Sequence, residues 1–121
     1  MDQLHPAPRS TQACMDSCTQ CHQTCLHEAL QYGLKSGGMH TESEHFRLML
    51  NCAEICQTSA NFQLSDSPYG AKLAALCAEI CTACADSCEK VGDMPDVVAA
   101  CRQCAECCTK LAQSHNVPVS H

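Results

Sequence analysis

Cysteines recur along this chain at intervals of four, three and four residues, and this spacing restricts the possible fold more than any other feature of the sequence. Because an α-helix turns about 100° per residue, four side chains at these intervals fall within an arc of about 60° on one face. Each set therefore predicts a helix with a single stripe of thiols about three turns long. Two stretches carry the full pattern, with cysteines at Cys14, Cys18, Cys21, Cys25 and at Cys77, Cys81, Cys84, Cys88.

The remaining six of the 14 cysteines repeat the pattern in shorter form. Cys52 and Cys56 lie one helical turn apart, whereas Ser59 and Gln63 stand where cysteine would continue the series. The pentapeptide Cys-Ala-Glu-Ile-Cys occurs at 52–56 and again at 77–81, which indicates internal repetition. In the last segment three cysteines share a stripe and Cys107 lies at its edge. The six residues are Cys52, Cys56, Cys101, Cys104, Cys107 and Cys108.

Four segments of the sequence are rich in Ala, Gln, Glu, Leu and Lys, which favour helices, and breakers separate them. Glycines at 33–38 end the first segment, a capping box at Thr41 opens the second, Pro68 begins the third and Gly92 closes it. We predict helices over about 10–34, 42–64, 68–90 and 95–114. Long helices joined by short loops favour one all-α domain over residues 1–121, an antiparallel up-down four-helix bundle with a cysteine-lined core.

The supply of large apolar side chains is too small for an ordinary core. Leu, Ile, Val and Phe make up roughly a sixth of the residues, and there is no Trp. A fraction that low is typical of disordered chains, but free cysteine is one of the most frequently buried residue types. Four inward-facing stripes bring most of the 14 thiols into one interior column, where they replace the missing hydrophobic side chains.

A cysteine content this high in a short chain is also typical of secreted disulfide scaffolds. The N-terminus has no basic region followed by an apolar run, so we expect the cytoplasm, where thiols stay reduced and clustered cysteines more often bind metal. Cysteines four apart lie along the helix axis, where a disulfide would strain the helix. The net charge of −6 argues against nucleic-acid binding, and no apolar stretch approaches the roughly 20 residues needed to cross a membrane.

The number and softness of the ligands favour copper(I) among the metals that thiols bind. Zinc prefers four ligands delivered by turns, and iron–sulfur clusters prefer cysteines at loop-like spacings. Copper(I) prefers thiolate and needs only two or three sulfurs, so a Cys-x3-Cys pair can hold one ion while both residues stay helical. Each monovalent ion cancels roughly one thiolate charge, which keeps the column close to neutral. Six pairs have this spacing: 14/18, 21/25, 52/56, 77/81, 84/88 and 104/108.

Histidine and methionine residues lie near one end of the predicted bundle. His45 and Met49 precede the first cysteine of their segment by seven and three residues, which keeps them on or beside the core stripe. Met39 and His40 lie in the loop that leads to the same end. Imidazole and thioether at a bundle mouth are suited to the first capture of copper, although core packing and solvation explain these residues equally well. His115, at the opposite end, is a weaker candidate.

With these motifs the chain resembles the bacterial copper storage proteins, which are cysteine-rich four-helix-bundle copper-binding proteins. The resemblance covers nearly the whole chain and rests on the repeated Cys-x3-Cys-x2-Cys-x3-Cys stripes and on the Cys-Ala-Glu-Ile-Cys at 52–56. It implies a homotetramer of bundles, each loading many Cu(I) ions into its core through one open end. The placement of His45 and Met49 is similar to the mouth of that family, and the missing leader is similar to its cytosolic members. Ser59, Gln63 and Cys107 depart from the pattern, which affects the expected number of ions.

Three functions are compatible with the sequence at this point. The first is copper(I) storage without catalysis, because no Ser/His/Asp grouping and no glycine-rich phosphate loop is present. The second is zinc or general metallothionein-like buffering. The third is thiol redox chemistry, although its Cys-x2-Cys motif normally lies at a helix N-terminus; such pairs occur at Cys18/Cys21, Cys81/Cys84 and Cys101/Cys104. The sequence favours storage and identifies no donor or recipient protein for the copper.

Overall fold

The structure, a computed structural model, describes residues 9–36 and 43–120, and within these ranges all regular secondary structure is α-helical. The helices are α1 (Arg9–Ser36), α2 (Ser43–Leu64), α3 (Gly70–Val91) and α4 (Pro95–Ser114). Each helix packs against the next along the chain, and α4 returns to pack against α1. Short connections make consecutive helices antiparallel, so the predicted all-α, up-down four-helix bundle is confirmed.

The connection between α2 and α3 explains why α3 begins at Gly70 and not at the predicted residue 68. The Ser67 backbone N–H donates to the Phe62 carbonyl oxygen at 3.0 Å, and the Ser67 hydroxyl accepts from the Tyr69 N–H at 3.1 Å. Asp66 has a left-handed conformation with a φ of 54°, which a short polar side chain tolerates. The proline that was predicted to start the helix therefore lies in this turn.

A glycine and a proline shape the connection between α3 and α4. Gly92 follows the last residue of α3 with a φ of 87°, and its N–H donates to the Cys88 carbonyl oxygen at 2.9 Å. Pro95 lies in the first turn of α4, where its missing N–H costs no helical hydrogen bond. This tight connection keeps Cys88 and the start of α4 at the same end of the bundle. The capping box predicted at Thr41 falls at the border of the described residues, and Thr41 itself lies outside them.

The core consists of small and sulfur-containing side chains. Thirteen cysteines are buried and Cys107 is partly exposed. The other buried apolar side chains are mostly alanines, and Met49 and Val97 are the largest that are fully enclosed. Alanine beside cysteine lets helix backbones approach closely, which brings thiols of different helices into contact. The predicted cysteine-lined core is therefore confirmed.

A helix that crosses a lipid bilayer must be long and apolar. Within the described residues, none of the four helices is long and apolar enough to span a membrane.

Candidate metal centre

All four helices direct thiols into one column along the bundle axis. The Cys25 and Cys101 sulfurs, from α1 and α4, are 3.5 Å apart. The Cys56 and Cys81 sulfurs, from α2 and α3, are also 3.5 Å apart. Most other contacting sulfurs in the described residues lie 3.6 to 4.0 Å apart. A soft ion enclosed in this column would meet sulfur from several helices at once.

Four groups of four thiols occur within this column, and in each group all Sγ atoms lie within 4.8 Å of one another. Cys18, Cys21, Cys104 and Cys108 each belong to two groups. The groups therefore form one connected series along the bundle and not four separate sites. They are Cys14/Cys18/Cys107/Cys108, Cys18/Cys77/Cys104/Cys108, Cys21/Cys56/Cys81/Cys104 and Cys21/Cys25/Cys52/Cys101.

The sequence predicted metal sites within single helices, whereas the sulfur contacts run mostly between helices. Direct contacts of 3.8 to 4.0 Å join the predicted pairs 21/25, 77/81 and 104/108. Cys14 and Cys18 are instead linked through Cys108, whose sulfur lies 3.9 Å and 3.5 Å from theirs. Cys81 links the 52/56 pair in the same way, at 3.7 Å and 3.5 Å. Three predicted pairs, 14/18, 21/25 and 104/108, thus lie within larger groups that several helices assemble, whereas the members of 52/56 and of 77/81 fall into different groups.

Cys84 and Cys88 are buried but belong to none of the four groups found among the described residues. Cys88 lines an open cavity of about 450 Å³ at the α3–α4 connection, together with Met94. Met94 is buried and stands seven residues before Cys101, so it continues the core stripe of α4. Met94 was not among the predicted site residues, although its heptad spacing from Cys101 places it on the core stripe.

The structure brings His45 and Met49 into the core at the end of the column opposite the α2–α3 turn. His45 is 6% exposed and Met49 is fully buried. The His45 Nδ1 atom lies 2.7 Å from the Ser87 hydroxyl oxygen, a contact that ties the ring to α3. These two predicted residues therefore share one end of the bundle. Met39 and His40, which were predicted to join them, lie outside the described residues.

Comparison with known proteins identifies the family. The profile described as copper storage protein (Csp) matches residues 2–115. The chain belongs to the copper storage protein family. The resemblance predicted from the cysteine stripes is thereby confirmed.

Two solved structures and one curated relative are similar to this chain. The Nmul_A1745 protein from Nitrosospira multiformis is 53% identical, and its crystal structure matches with a TM-score of 0.82, covering 88% of this chain and 97% of that one. The Cu(I)-bound copper storage protein BsCsp3 shares 31% identity and a TM-score of 0.76, covering 86% and 99%. The uncharacterized cysteine-rich protein YhjQ of Bacillus subtilis (strain 168) is 38% identical over 103 residues, which are 82% of this chain and 86% of the relative.

Hydrogen bonds between thiols, together with burial, shift the pKa values of the cysteines in the column. The hydrogen bond with Cys84, followed by burial, raises the pKa of the Cys88 thiol. Cys14 donates to the Cys107 sulfur at 2.7 Å, and this hydrogen bond raises the pKa of Cys14. Hydrogen bonds with Cys104, Cys108 and Cys14 lower the pKa of Cys107 to about 5. Thiols with a raised pKa keep their protons near neutral pH, so a metal ion must displace those protons to bind.

His115, the weaker candidate at the opposite end, belongs to none of the metal-ligand groups found among the described residues. Helix α4 ends at Ser114, so His115 lies just beyond the helix. Its side chain is exposed, and its Nδ1 atom lies 3.1 Å from both the Leu111 carbonyl oxygen and the Ser114 hydroxyl oxygen. The imidazole therefore covers the end of α4.

Two residues that interrupt the thiol pattern of α2 also lie in the core. Ser59 is fully buried and Gln63 is 8% exposed. From the sequence they were identified only as positions where cysteine is missing from the series. Their position in the four-three-four series, which follows Cys52 and Cys56, is the signal that places them on the inward face.

Proposed function

We propose that this protein stores Cu(I) in its core and that cysteine thiolates are the ligands of the ions. The observation that carries the proposal is the connected series of four-thiol groups, whose sulfurs come from all four helices. Such a series accommodates many ions per chain, because neighbouring groups share sulfurs that can bridge two ions. The proposed ligands are Cys14, Cys18, Cys21, Cys25, Cys52, Cys56, Cys77, Cys81, Cys84, Cys88, Cys101, Cys104, Cys107 and Cys108.

Shared sulfurs favour copper(I) over zinc. A structural zinc ion takes four ligands of its own in a tetrahedron. Two of the groups share both Cys18 and Cys108, so they do not supply eight separate ligands for two such ions. Copper(I) needs only two or three sulfurs, and this lower requirement allows every group to be occupied. The geometry therefore supports copper storage over zinc buffering.

Charge balance supports loading to nearly one ion per thiol. When a Cu(I) ion binds at a protonated thiol, an S–H bond breaks, an S–Cu bond forms and the proton leaves for solvent, so the net charge of the core is unchanged. Buried thiolates without copper would instead leave uncompensated negative charge in a medium of low polarity. Each ion therefore makes its own thiolate tolerable, and the column fills without accumulating charge.

The end of the column that holds His45 and Met49 is the proposed site of copper uptake, with Met39 and His40 as further candidates. Imidazole and thioether are suitable ligands for an ion in transit, since both bind Cu(I) without a proton having to be displaced from a thiol. The contact between His45 and Ser87 fixes the ring at this end. Slower uptake with an unchanged final copper content in a His45→Ala variant would agree with this assignment, and an unchanged uptake rate would contradict it.

Storage in this proposal is non-catalytic, takes place in the cytoplasm and involves a homotetramer. A reducing compartment keeps the free thiols competent to bind copper. The homotetramer is carried over from the family resemblance, since single exposed apolar residues such as Leu64 and Leu76 are also common on monomers. Light scattering coupled to size exclusion tests the assembly, for which a monomeric mass would contradict the homotetramer.

The central experiment is an anaerobic titration of the reduced apo-protein with Cu(I) in the presence of a competing Cu(I) chelator. Storage predicts that the number of retained ions approaches one per cysteine. Saturation at one to three ions, or tighter stoichiometric binding of zinc in a parallel titration, would support a metal buffer instead. Rapid exchange of model disulfides by the apo-protein would support the thiol-redox alternative.

A further inference from the structure

A hydrogen-bonded pair of uncharged polar side chains occupies the α2 side of the column next to the α2–α3 turn. The Gln63 amide Nε2 donates to the Ser59 hydroxyl oxygen at 3.1 Å, one helical turn earlier. The same nitrogen also lies 3.6 Å from the Cys18 sulfur of α1 and donates to it. The amide of Gln63, which stands where α2 lacks a cysteine, therefore contacts a thiol of the neighbouring helix α1.

The Gln63 amide is retained in the core although its oxygen is poorly accommodated there. Within the described part of the chain, the buried Gln63 Oε1 atom has no hydrogen-bond partner. Leaving a buried polar atom in that state is unfavourable for folding, and an apolar side chain of similar size would avoid it. This cost indicates that the N–H groups, and not the stability of the fold, are the reason for an amide at this position.

Cys18 is, with Cys108, one of the two sulfurs that the neighbouring groups share. It belongs to both groups on this side of the column, and its sulfur lies 3.6 Å from that of Cys104 and 3.5 Å from that of Cys108. We propose that Gln63 is a positioning residue for the copper sites built on Cys18, and that its amide N–H stabilises the negative charge of this sulfur in the copper-bound state. The proposal rests on the copper storage function proposed above.

The direction of the effect follows from the two states of the sulfur. The copper-bound Cys18 sulfur carries negative charge, and hydrogen bonds to charged acceptors are stronger than those to neutral ones. In the apo-protein this sulfur also accepts a hydrogen bond from the Cys104 thiol, and that donor is lost when Cu(I) displaces the Cys104 proton, whereas the Gln63 amide remains. The Gln63 N–H therefore favours the loaded state over the apo state. Because a hydrogen bond to a charged group is worth more than one to a neutral group, its loss should weaken retention of the affected ions by about ten-fold.

The test compares Gln63→Leu with the matched control Gln57→Leu. Gln57 lies on the same helix and also donates its amide to a residue four positions away, Asn61, but on the exposed face. In chelator competition with Cu(I), Gln63→Leu should lose part of its copper at about ten-fold lower chelator excess than wild type. Its saturating copper count and its apo unfolding temperature should not fall, since the substitution removes an unfavourably buried oxygen. Gln57→Leu should match wild type throughout.

Three results would overturn the proposal. The first is retention of copper by Gln63→Leu equal to that of Gln57→Leu. The second is a loss of one whole ion from the saturating count, because Gln63 would then be a direct ligand. The third is an equal effect of Gln63→Leu when Cys18→Ser is already present, since the amide is argued to act through that sulfur. Gln63→Ala serves the same comparisons if the leucine variant misfolds, whereas failure of wild type to retain many ions would refute the storage function itself.

Discussion

The two halves of the thiol column are built differently. The half next to the α2–α3 turn, called the turn half, has thiols from α1, α3 and α4 and places Ser59 and Gln63 on the α2 side. The half that contains His45, called the His45 half, has thiols from all four helices. The turn half comprises Cys14, Cys18, Cys77, Cys104, Cys107 and Cys108. The His45 half comprises Cys21, Cys25, Cys52, Cys56, Cys81, Cys84, Cys88 and Cys101.

This difference shows that one repeated pattern produces two chemical environments. In the turn half the Gln63 amide N–H donates a hydrogen bond to the shared sulfur of Cys18, and the partly exposed Cys107 accepts one from Cys14. In the His45 half all thiols are buried, and an imidazole and a thioether lie at the end of the column. We expect both halves to bind copper, but we expect them to differ in how tightly they retain the ions and in how fast their thiols react.

The largest expected effect is the rise in unfolding temperature when copper fills both halves of the column. An ion present at about a thousand times its Kd adds about 4 kcal/mol to the free energy of unfolding. At about 4 °C per kcal/mol for a domain of this size, several ions should raise the unfolding temperature by more than about 20 °C. Thermal unfolding of apo and loaded protein, followed by circular dichroism, measures this. Equal unfolding temperatures would mean that neither half depends on metal.

The next effect separates shared from unshared thiols. Cys18 belongs to two groups of the turn half, whereas Cys84, in the His45 half, belongs to none of those found in the described residues. Cys18→Ser should lower the saturating copper count by about two ions, and Cys84→Ser by about one at most, because Cu(I) needs two or three sulfurs. Copper per chain, measured after anaerobic gel filtration, gives both numbers. Equal losses would show that sharing of sulfurs does not determine capacity.

Much of this architecture follows from the sequence alone, because a helix converts residue spacing into direction. The stripes predicted the bundle, its core and the burial of the thiols, since a rotation of about 100° per residue applies to every helix. The grouping of thiols across helices did not follow, because it depends on how far one helix is shifted along another. The exposed position of His115 did not follow either, because this residue lies one position beyond the predicted helix, where residue spacing no longer gives direction. Met94 was overlooked because it precedes the helix whose stripe it continues.

A smaller effect is expected when the turn half is given the missing thiols of α2. The double substitution Ser59→Cys and Gln63→Cys completes the four-three-four series and should add about one or two retained ions. The matched control is Gln57→Cys with Asn61→Cys, which has the same spacing on the exposed face of α2. The control should add no copper that survives chelator competition. An equal gain in both variants would show that burial in the column contributes nothing to retention.

The smallest effect concerns the thiols of the apo-protein. Hydrogen bonds with Cys104, Cys108 and Cys14 lower the pKa of Cys107 to about 5. The hydrogen bond with Cys84, followed by burial, raises the pKa of Cys88. At neutral pH, Cys107 should therefore react with iodoacetamide at least about ten times faster than Cys88, since the thiolate is the nucleophile. Mass spectrometry of peptides from briefly labelled apo-protein measures the ratio. Labelling of both at the same rate would indicate that reaction occurs only after global unfolding.

Anomalous diffraction at the copper edge from crystals of the loaded protein tests the central claim most directly. We expect a row of copper peaks inside the bundle that passes through both halves, with each ion bound by cysteine sulfurs and most of them by sulfurs from different helices. Copper confined to exposed histidines such as His27 and His115, or a single interior site with the rest of the column empty, would contradict it.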